Sequence, residues 1–354
     1  MTSALLIRLG GLGDLLVALP ALRLVRVSFP DAFLHLLARK EYGGLLLEAG
    51  VVNAVSAADD IKWMPLFDAG APAGAGVRAK APVPGKTPAP AEFRRELSRY
   101  DWIAGWFHGQ VPPREPGRVP PREPGRAFLP VPPREPGRPF LPVPPREPGR
   151  AKAGVTLLPR EFLYDPASGS PLSRYFFDRT MDALRSIVVA PAASFDDCRL
   201  LFPTDLPRRE PFAVVHPGSG SPKKCWPLDR FRRVIEALGE RGLGGFLVSG
   251  EVEAGLEESL GRIPLPSGWR RLVRPPLSDL ARLLRAAAVY VGNDSGPTHL
   301  AAACGAQTIA VFREEFAAAW APFGRGTVLS APNVEEVAVE DVIAVLTRVL
   351  DATA

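Results

Sequence analysis

Short apolar runs alternate with helical segments in two separate parts of the chain, and this alternation constrains the fold more than any other feature. In the first part, an apolar run at residues 4–9 precedes a glycine turn, a helix over 14–29 and a second apolar run at 33–38. This order predicts a strand–helix–strand unit of a parallel sheet. A helix over 41–49 and a strand near 51–55 continue the alternation. Farther along, a helix is predicted at 93–99, a strand at 100–107 and a helix at 174–184.

A second series of the same kind begins at Phe212. Strands are predicted at 212–216, 245–249, 289–292 and 308–312, with helices at 228–240 and 277–287, after Glu251, from Thr298 and over 339–350. The 354 residues suffice for two such domains. We therefore predict an α/β protein of two Rossmann-like, doubly wound domains that face a central cleft. The N-terminal domain is placed at 1–189, a linker at 190–211 and the C-terminal domain at 212–354.

Two segments of the N-terminal domain interrupt the alternation. Residues 69–91 are rich in Ala, Pro and Gly and are predicted to form a flexible loop. Residues 111–152 contain four copies of VPPREPGR, whose three prolines remove too many backbone donors for helix or sheet. The repeat is therefore predicted to be either extended and polyproline-like or disordered, and no catalytic role is assigned to it. It is either tolerated in a surface loop or docks a partner that binds proline-rich ligands.

Charge and cysteine content exclude several classes of protein. The net charge is +5, but residues 111–150 contribute eight Arg against four Glu, so the remainder is nearly neutral and indicates no nucleic-acid surface. Three separated cysteines form neither a disulfide framework nor a zinc motif. No apolar stretch reaches the roughly 20 residues that a membrane span needs. We expect a cytoplasmic protein that is at most peripheral on a membrane.

Three loops at the carboxyl ends of predicted strands contain the candidate functional residues, because ligands of open α/β sheets bind at that edge. In the first loop, Gly10, Gly11 and Gly13 permit close approach of a substrate, and Asp14 begins a helix. A carboxylate at the edge of a cleft is a candidate general base for an attacking hydroxyl group. The alternative is that Asp14 only caps its helix.

The other two loops are suited to anions. The second, at 216–227, has a turn with Ser219 and Gly220 and two lysines before a helix, so that backbone N–H groups and an ammonium converge. The third follows the strand at 289–292 and offers hydroxyl, N–H and imidazole groups to a diphosphate at a helix N-terminus. These groups belong to Ser295, Gly296, Thr298 and His299, while Asp294 is suited to accept hydrogen bonds from sugar hydroxyls.

The three loops lie within LLIRLGGLGDLLVALPALRLVRVSFPDA, VVHPGSGSPKKCWPLDRF and DLARLLRAAAVYVGNDSGPTHLAAACGAQTIAVF. Together and in this order, these segments resemble the family 9 glycosyltransferases, the lipopolysaccharide heptosyltransferases. The resemblance implies a GT-B fold and an inverting, metal-independent transfer of a heptose from ADP-L-glycero-D-manno-heptose. The implied acceptor is the inner core of lipopolysaccharide, either lipid A-Kdo or a heptosylated core, at the cytoplasmic face of the inner membrane. No D-x-D motif occurs in the chain, and we expect neither a metal nor a cofactor beyond the nucleotide-sugar substrate.

The same resemblance implies roles for individual residues. Asp14 looks like the catalytic base, and Lys224 looks like the lysine that contacts the donor phosphates. An acidic residue after the strand at 245–249 is expected to meet the adenosine ribose, and Glu253 is preferred to Glu251. The family's donor-binding motif D-[ST]-G-x-x-H is matched at Asp294, Ser295, Gly296 and His299.

The chain departs from the family pattern in two of its loops. Gly10 and Gly11 stand where many members have Ser or Thr, which puts hydroxyl contacts near the base in doubt. After the late strand, Arg313, Glu314 and Glu315 stand where members usually have a G-P-T-like turn. The repeat follows residues 100–110, which are expected to border the acceptor side, so acceptor identity is left open.

Two other functions stay open at this stage. One is a nucleotide-sugar epimerase of the same architecture, which needs no acceptor. The other is a non-catalytic interaction protein that acts through its Pro/Arg repeats. For the transferase, the expected partners are an ADP-activated sugar and a lipid A core acceptor, the expected state is a monomer, and no nucleic acid is expected.

Overall fold

The structure is a computed structural model that describes residues 1–60, 63, 95–105, 154–157, 171–185, 194–200, 202, 210–250 and 257–352. The insertion at 69–91, the repeats within 111–152, and Glu251 and Glu253 lie outside the described residues. The predicted domain boundaries at 189 and 212 stay predictions.

The first part of the chain forms a five-stranded sheet with strand order β3-β2-β1-β4-β5, in which every pairing is parallel. Its elements are β1 (Ser3–Ile7), α1 (Leu12–Val17), α2 (Leu19–Ser28), β2 (Phe33–Ala38), α3 (Lys40–Glu48), β3 (Ala54–Ala57), β4 (Trp102–Gly105), β5 (Gly154–Leu157) and α4 (Leu172–Arg185).

The second part forms a six-stranded parallel sheet with strand order β11-β10-β9-β6-β7-β8. Its elements are β6 (Phe212–His216), α5 (Leu228–Glu240), β7 (Gly244–Ser249), α6 (Glu257–Gly261), β8 (Trp269–Val273), α7 (Leu277–Ala286), β9 (Val289–Asn293), α8 (Gly296–Ala303), β10 (Gln307–Arg313), α9 (Glu314–Trp320), β11 (Gly326–Ala331) and α10 (Val339–Asp351). Two doubly wound parallel sheets confirm the predicted α/β class.

The strand orders explain where the loops of interest lie. In the second sheet the chain runs outward from β6 to β8 and then returns to place β9 beside β6. The loops that follow β6 and β9 therefore flank the point at which the strand order reverses, where open α/β sheets bind ligands. In the first sheet β1 pairs with both β2 and β4, so the loop after β1 has the corresponding position.

The single helix expected over 14–29 is two helices, α1 and α2, which are separated by Ala18. Pro20 occupies the first turn of α2, and its ring nitrogen has no hydrogen to donate to the carbonyl four residues earlier. The Ala18 N–H instead bonds back to Leu15 O at 3.1 Å. The first helix therefore has only six residues.

Several boundaries and elements differ from the expectations. The strand expected near 51–55 lies at Ala54–Ala57, and the helix expected from Thr298 begins at Gly296. Four elements were not predicted. Among them, β8 presents Arg270 and Arg271 at its exposed positions, so its apolar pattern is weak. The others are β5, α9 and β11.

Helices α1 and α8 join the two sheets. A Cβ atom added to Gly296 in α8 would lie 2.9 Å from the Leu12 Cβ atom in α1, which is too close for any other residue. One continuous apolar core contains Leu12, Leu16 and Leu300. An exposed ion pair between Arg282 of α7 and Glu48 of α3 forms a second bridge between the two parts.

We predict that Gly296→Ala destabilises the chain by about 1–3 kcal/mol, because the added methyl group overpacks the contact between α1 and α8. The matched control is Gly44→Ala in α3, where an added Cβ meets nothing within 4 Å. The control is expected to be neutral or stabilising, since alanine favours a helix over glycine. Thermal unfolding of both variants checks this, and equal midpoints would contradict it.

Candidate functional site

Asp14 lies in the third position of α1, where both of its carboxylate oxygens have backbone or side-chain donors. The Gly11 N–H donates to Asp14 Oδ2 at 2.8 Å, so the carboxylate closes the first turn of its helix. Gly10 has φ of 115°, and a Cβ there would lie 2.6 Å from the Asp14 carboxyl carbon. Asp14 therefore does cap its helix, yet 25% of its side chain stays exposed and within reach of a substrate.

The Arg8 guanidinium contacts both the backbone carbonyl and the carboxylate of Asp14. Its Nε donates to Asp14 O at 2.7 Å, and one terminal nitrogen lies 3.2 Å from Asp14 Oδ1. The guanidinium also lies over the Phe176 ring, 5.3 Å from its centroid. Burial lowers the pKa of Arg8 to about 10, with Asp14 opposing the shift, so Arg8 is still a cation at neutral pH. The carboxylate thus has a permanent counterion and a fixed orientation.

Lys224 lies at the end of a short 3₁₀ turn, Pro222–Lys224, in the loop after β6. Its Nζ is 2.6 Å from Asp294 Oδ2, and 31% of the lysine side chain is exposed whereas the aspartate is buried. In the same loop, the Ser219 hydroxyl donates to the Asp294 backbone carbonyl at 2.7 Å. A Cβ on Gly220 would meet nothing within 4 Å, so this residue borders open space.

The predicted donor-binding residues of the loop after β9 differ in what their side chains contact. The Thr298 side chain is fully buried, and its hydroxyl donates to Asn293 O and lies 3.0 Å from the Tyr290 hydroxyl. The Ser295 hydroxyl lies 3.1 Å from the same Thr298 oxygen. The Thr298 hydroxyl is therefore used in hydrogen bonds within the protein at the start of α8. Gly296 packs against Leu12 of α1.

His299 is buried at the junction of the two sheets. A Cβ on Gly13 would lie 3.1 Å from His299 Cδ2, so the His299 ring packs against the first turn of α1. Burial lowers the pKa of His299; Asp294 and Asp14 raise it, and Lys224 lowers it. The structure thus brings together Asp14, His299, Asp294 and Lys224, which come from both parts of the chain.

Asn293 is a site residue that sequence reasoning did not identify. Its side chain is fully buried; Oδ1 accepts the Trp226 N–H at 3.1 Å, and Nδ2 donates to Pro217 O at 2.6 Å. These two bonds join the loop that contains Lys224 to the end of β9. A buried asparagine at the end of an apolar strand was the available signal, because such a side chain needs partners.

A cavity of about 160 Å³ lies between α6 and the carboxyl halves of β7 and β8. Its lining is mainly apolar and comprises Leu247, Ser249, Leu260, Gly261, Arg271 and Val273. Within the described residues, no three His, Cys, Asp or Glu side chains form a group that suits a metal ion. None of the helices in the described ranges has the length and apolar character to cross a membrane.

Comparison with known proteins gives a consistent result. Residues 187–340 match the model of glycosyltransferase family 9 (heptosyltransferase). Lipopolysaccharide heptosyltransferase 3 of Escherichia coli K12 is 30% identical over 125 residues, which cover 32% of this chain and 34% of that protein. The chain thus spans about a third of the length of the curated relatives that it matches.

Solved structures match over nearly the whole chain. Escherichia coli heptosyltransferase WaaC with ADP has a TM-score of 0.62 at 16% identity, covering 98% of this chain and 99% of that one. The family 9 glycosyltransferase of Veillonella parvula has a TM-score of 0.63 at 13% identity, covering 99% and 97%. At such identities the likeness shows the fold, and the predicted GT-B fold is confirmed.

We predict that Asn293→Leu lowers the stability of the chain by at least about 2 kcal/mol. The variant leaves the Trp226 N–H and the Pro217 carbonyl buried without partners, and each such group costs about 1–3 kcal/mol. Asn333→Leu is the matched control, since Asn333 is exposed and its amide donates to the exposed Glu336 carboxylate. Thermal unfolding that is equally lowered in both variants would contradict the role assigned to Asn293.

We also predict that stability falls more steeply with acid in the wild type than in His299→Gln. The folded-state pKa of His299 lies below the ordinary value of 6.5, so below pH 6.5 the unfolded chain takes up a proton that the folded chain resists. The contribution of neutral His299 to the free energy of unfolding is complete above pH 6.5 and is lost as the pH falls toward the folded-state pKa of His299. Thermal midpoints at pH 7.5 and 5.5 measure it, and equal drops in both proteins would refute it.

Proposed function

We propose, from the premise that the chain belongs to glycosyltransferase family 9, that it transfers a heptose from an ADP-activated donor to the inner core of lipopolysaccharide. The transfer inverts the anomeric centre and uses no metal. The observation that supports this most is the contact between α1 and α8. It puts an oriented carboxylate, Asp14, beside the group formed by His299, Asp294 and Lys224.

The reaction is an in-line displacement. An acceptor hydroxyl oxygen forms a bond to the anomeric carbon while the bond from that carbon to the diphosphate oxygen breaks on the opposite face. The hydroxyl proton passes to the Asp14 carboxylate, and ADP departs with the bonding electron pair. Arg8 and the Gly11 N–H orient the carboxylate before the acceptor arrives.

Charge that develops on the leaving diphosphate requires stabilisation by positive groups. Lys224 supplies an ammonium, and the N-terminus of α8 supplies the positive end of a helix dipole. Because Lys224 is paired with Asp294, the diphosphate takes over the ammonium from that carboxylate, which is then available to sugar hydroxyls. These groups, together with the lack of a D-x-D motif, are our reason for proposing a metal-independent reaction.

The nucleoside end of the donor is assigned to the outer strands of the second sheet. The cavity beside β7 and β8 has an apolar lining that suits a planar base. The ribose partner is expected at Glu253 or Glu251, which directly follow β7 in the sequence. The acceptor is a lipid-linked saccharide, so the chain is expected to work at the cytoplasmic face of the inner membrane. We also propose that it acts as a monomer and without nucleic acid.

The test is heptose transfer from ADP-L-glycero-D-manno-heptose to a heptose-deficient lipid A core, followed by mass spectrometry. We predict that Asp14→Asn reduces the rate by about 10²–10⁴, because the amide keeps the shape of the carboxylate but does not accept the proton. Asp31→Asn is the control, since Asp31 is an exposed turn residue remote from α1 in the sequence. A variant at Asp14 with wild-type activity would refute the assignment of the base.

An epimerase of similar architecture is the second candidate, and the same donor distinguishes it. Incubation of the ADP-heptose without acceptor, followed by NMR of the sugar, detects any change of configuration. Product that forms only when the lipid acceptor is present supports the transferase. Epimerised donor in the absence of acceptor would replace the proposal.

A further inference from the structure

Phe316, in the first turns of α9, lies against two cationic side chains. The Lys224 Nζ atom is 4.8 Å from the centroid of the Phe316 ring, and the Arg313 guanidinium carbon is 6.0 Å from it. The ring is half-buried at the carboxyl end of β10, which neighbours β9 in the sheet. Neither Phe316 nor its position was identified from the sequence.

The two cations differ in what else they contact. Arg313 forms a 2.7 Å ion pair with Glu315, and its Nε lies 3.4 Å from Pro332 O, so its charge is balanced within its own segment. Within the part of the chain that the structure describes, Lys224 forms an ion pair with Asp294, at 2.6 Å. The Lys224 ammonium thus has two different partners here, the Asp294 carboxylate and the face of the uncharged Phe316 ring.

The physical difference between these two partners of Lys224 matters when an anion arrives. A carboxylate competes with phosphate for the ammonium, because both are anions that accept the same hydrogens. An aromatic ring attracts the ammonium through its quadrupole, and it does not need to leave when phosphate approaches from another side. A lysine has a flexible stem of four carbons, so a fixed partner restricts where its charge lies.

We infer that Phe316 is a positioning residue that keeps Lys224 directed at the diphosphate of a nucleoside-diphosphate donor while the ammonium leaves Asp294. This inference rests on the proposed function, because it assumes that Lys224 binds the diphosphate. It adds a residue that directly follows Arg313, Glu314 and Glu315 in the sequence, at the start of α9.

Calorimetric titration with ADP measures the effect directly on the full chain. Phe316→Leu keeps an apolar side chain without a ring and is expected to weaken ADP binding by about 3- to 30-fold, the range for a partly exposed to a desolvated cation–π contact. Phe316→Tyr retains the ring and is expected to bind within about twofold of the wild type. Phe33→Leu, at an exposed phenylalanine of the first sheet, controls for loss of a ring elsewhere.

A double-mutant cycle separates positioning from a general structural effect. In a Lys224→Met background, Phe316→Leu is expected to cause no further loss of ADP affinity, because the ring then has no ammonium to hold. Circular dichroism and thermal unfolding check that the variants fold. If Phe316→Leu does not fold, Phe316→Met takes its place.

Three outcomes would overturn the inference. If the wild-type chain does not bind ADP, the proposed donor fails and this inference fails with it. If the wild type binds ADP and Phe316→Leu binds equally well, the donor stands and this inference alone fails. The same holds if Phe316→Leu weakens binding equally with and without Lys224, since its effect then does not act through the lysine.

Discussion

Where α1 meets α8, each helix turns a glycine toward a side chain of the other: Gly296 toward Leu12, and Gly13 toward His299. A Cβ atom on Gly296 would lie 2.9 Å from the Leu12 Cβ atom, and one on Gly13 would lie 3.1 Å from His299 Cδ2, so the close separation of the two helices depends on these glycines. Within the described residues, Asp14 lies in α1 and His299 in α8, Asp294 precedes α8 by two residues, and Lys224 is paired with Asp294. The contact therefore determines both how the sheets face each other and which charges are neighbours.

Charges in this site are balanced in pairs before any ligand binds. Asp14 is paired with Arg8 and Lys224 with Asp294, and the members of each pair differ in burial. Buried charges that lack partners are costly, so such pairing lets the chain hold ionic groups in its interior. The more exposed member of each pair, Asp14 and Lys224, is the one to which the chemistry is assigned. The buried partners, Arg8 and Asp294, orient them.

The alternation of apolar runs and helices was enough to predict the α/β class and most of the strands, because buried parallel strands are nearly continuous apolar segments. It did not reveal β8, in which the two consecutive arginines Arg270 and Arg271 interrupt the apolar pattern, nor the break between α1 and α2, which depends on the single residue Pro20. Turn composition located all three loops. It did not reveal that Thr298 faces inward or that Asn293 joins two loops, since both facts depend on which strands become neighbours. Phe316 was missed for the same reason.

The ion pair between Arg282 and Glu48 has a further consequence. Both side chains are more than a third exposed, and Arg282 also contacts Asp279 on its own helix. Ion pairs on the surface contribute roughly 0–1 kcal/mol and weaken as salt is added. The apolar contact between α1 and α8 has no such sensitivity. The two contacts thus respond differently to the solvent: added salt screens the pair between Arg282 and Glu48 and leaves the packing of α1 on α8 in place.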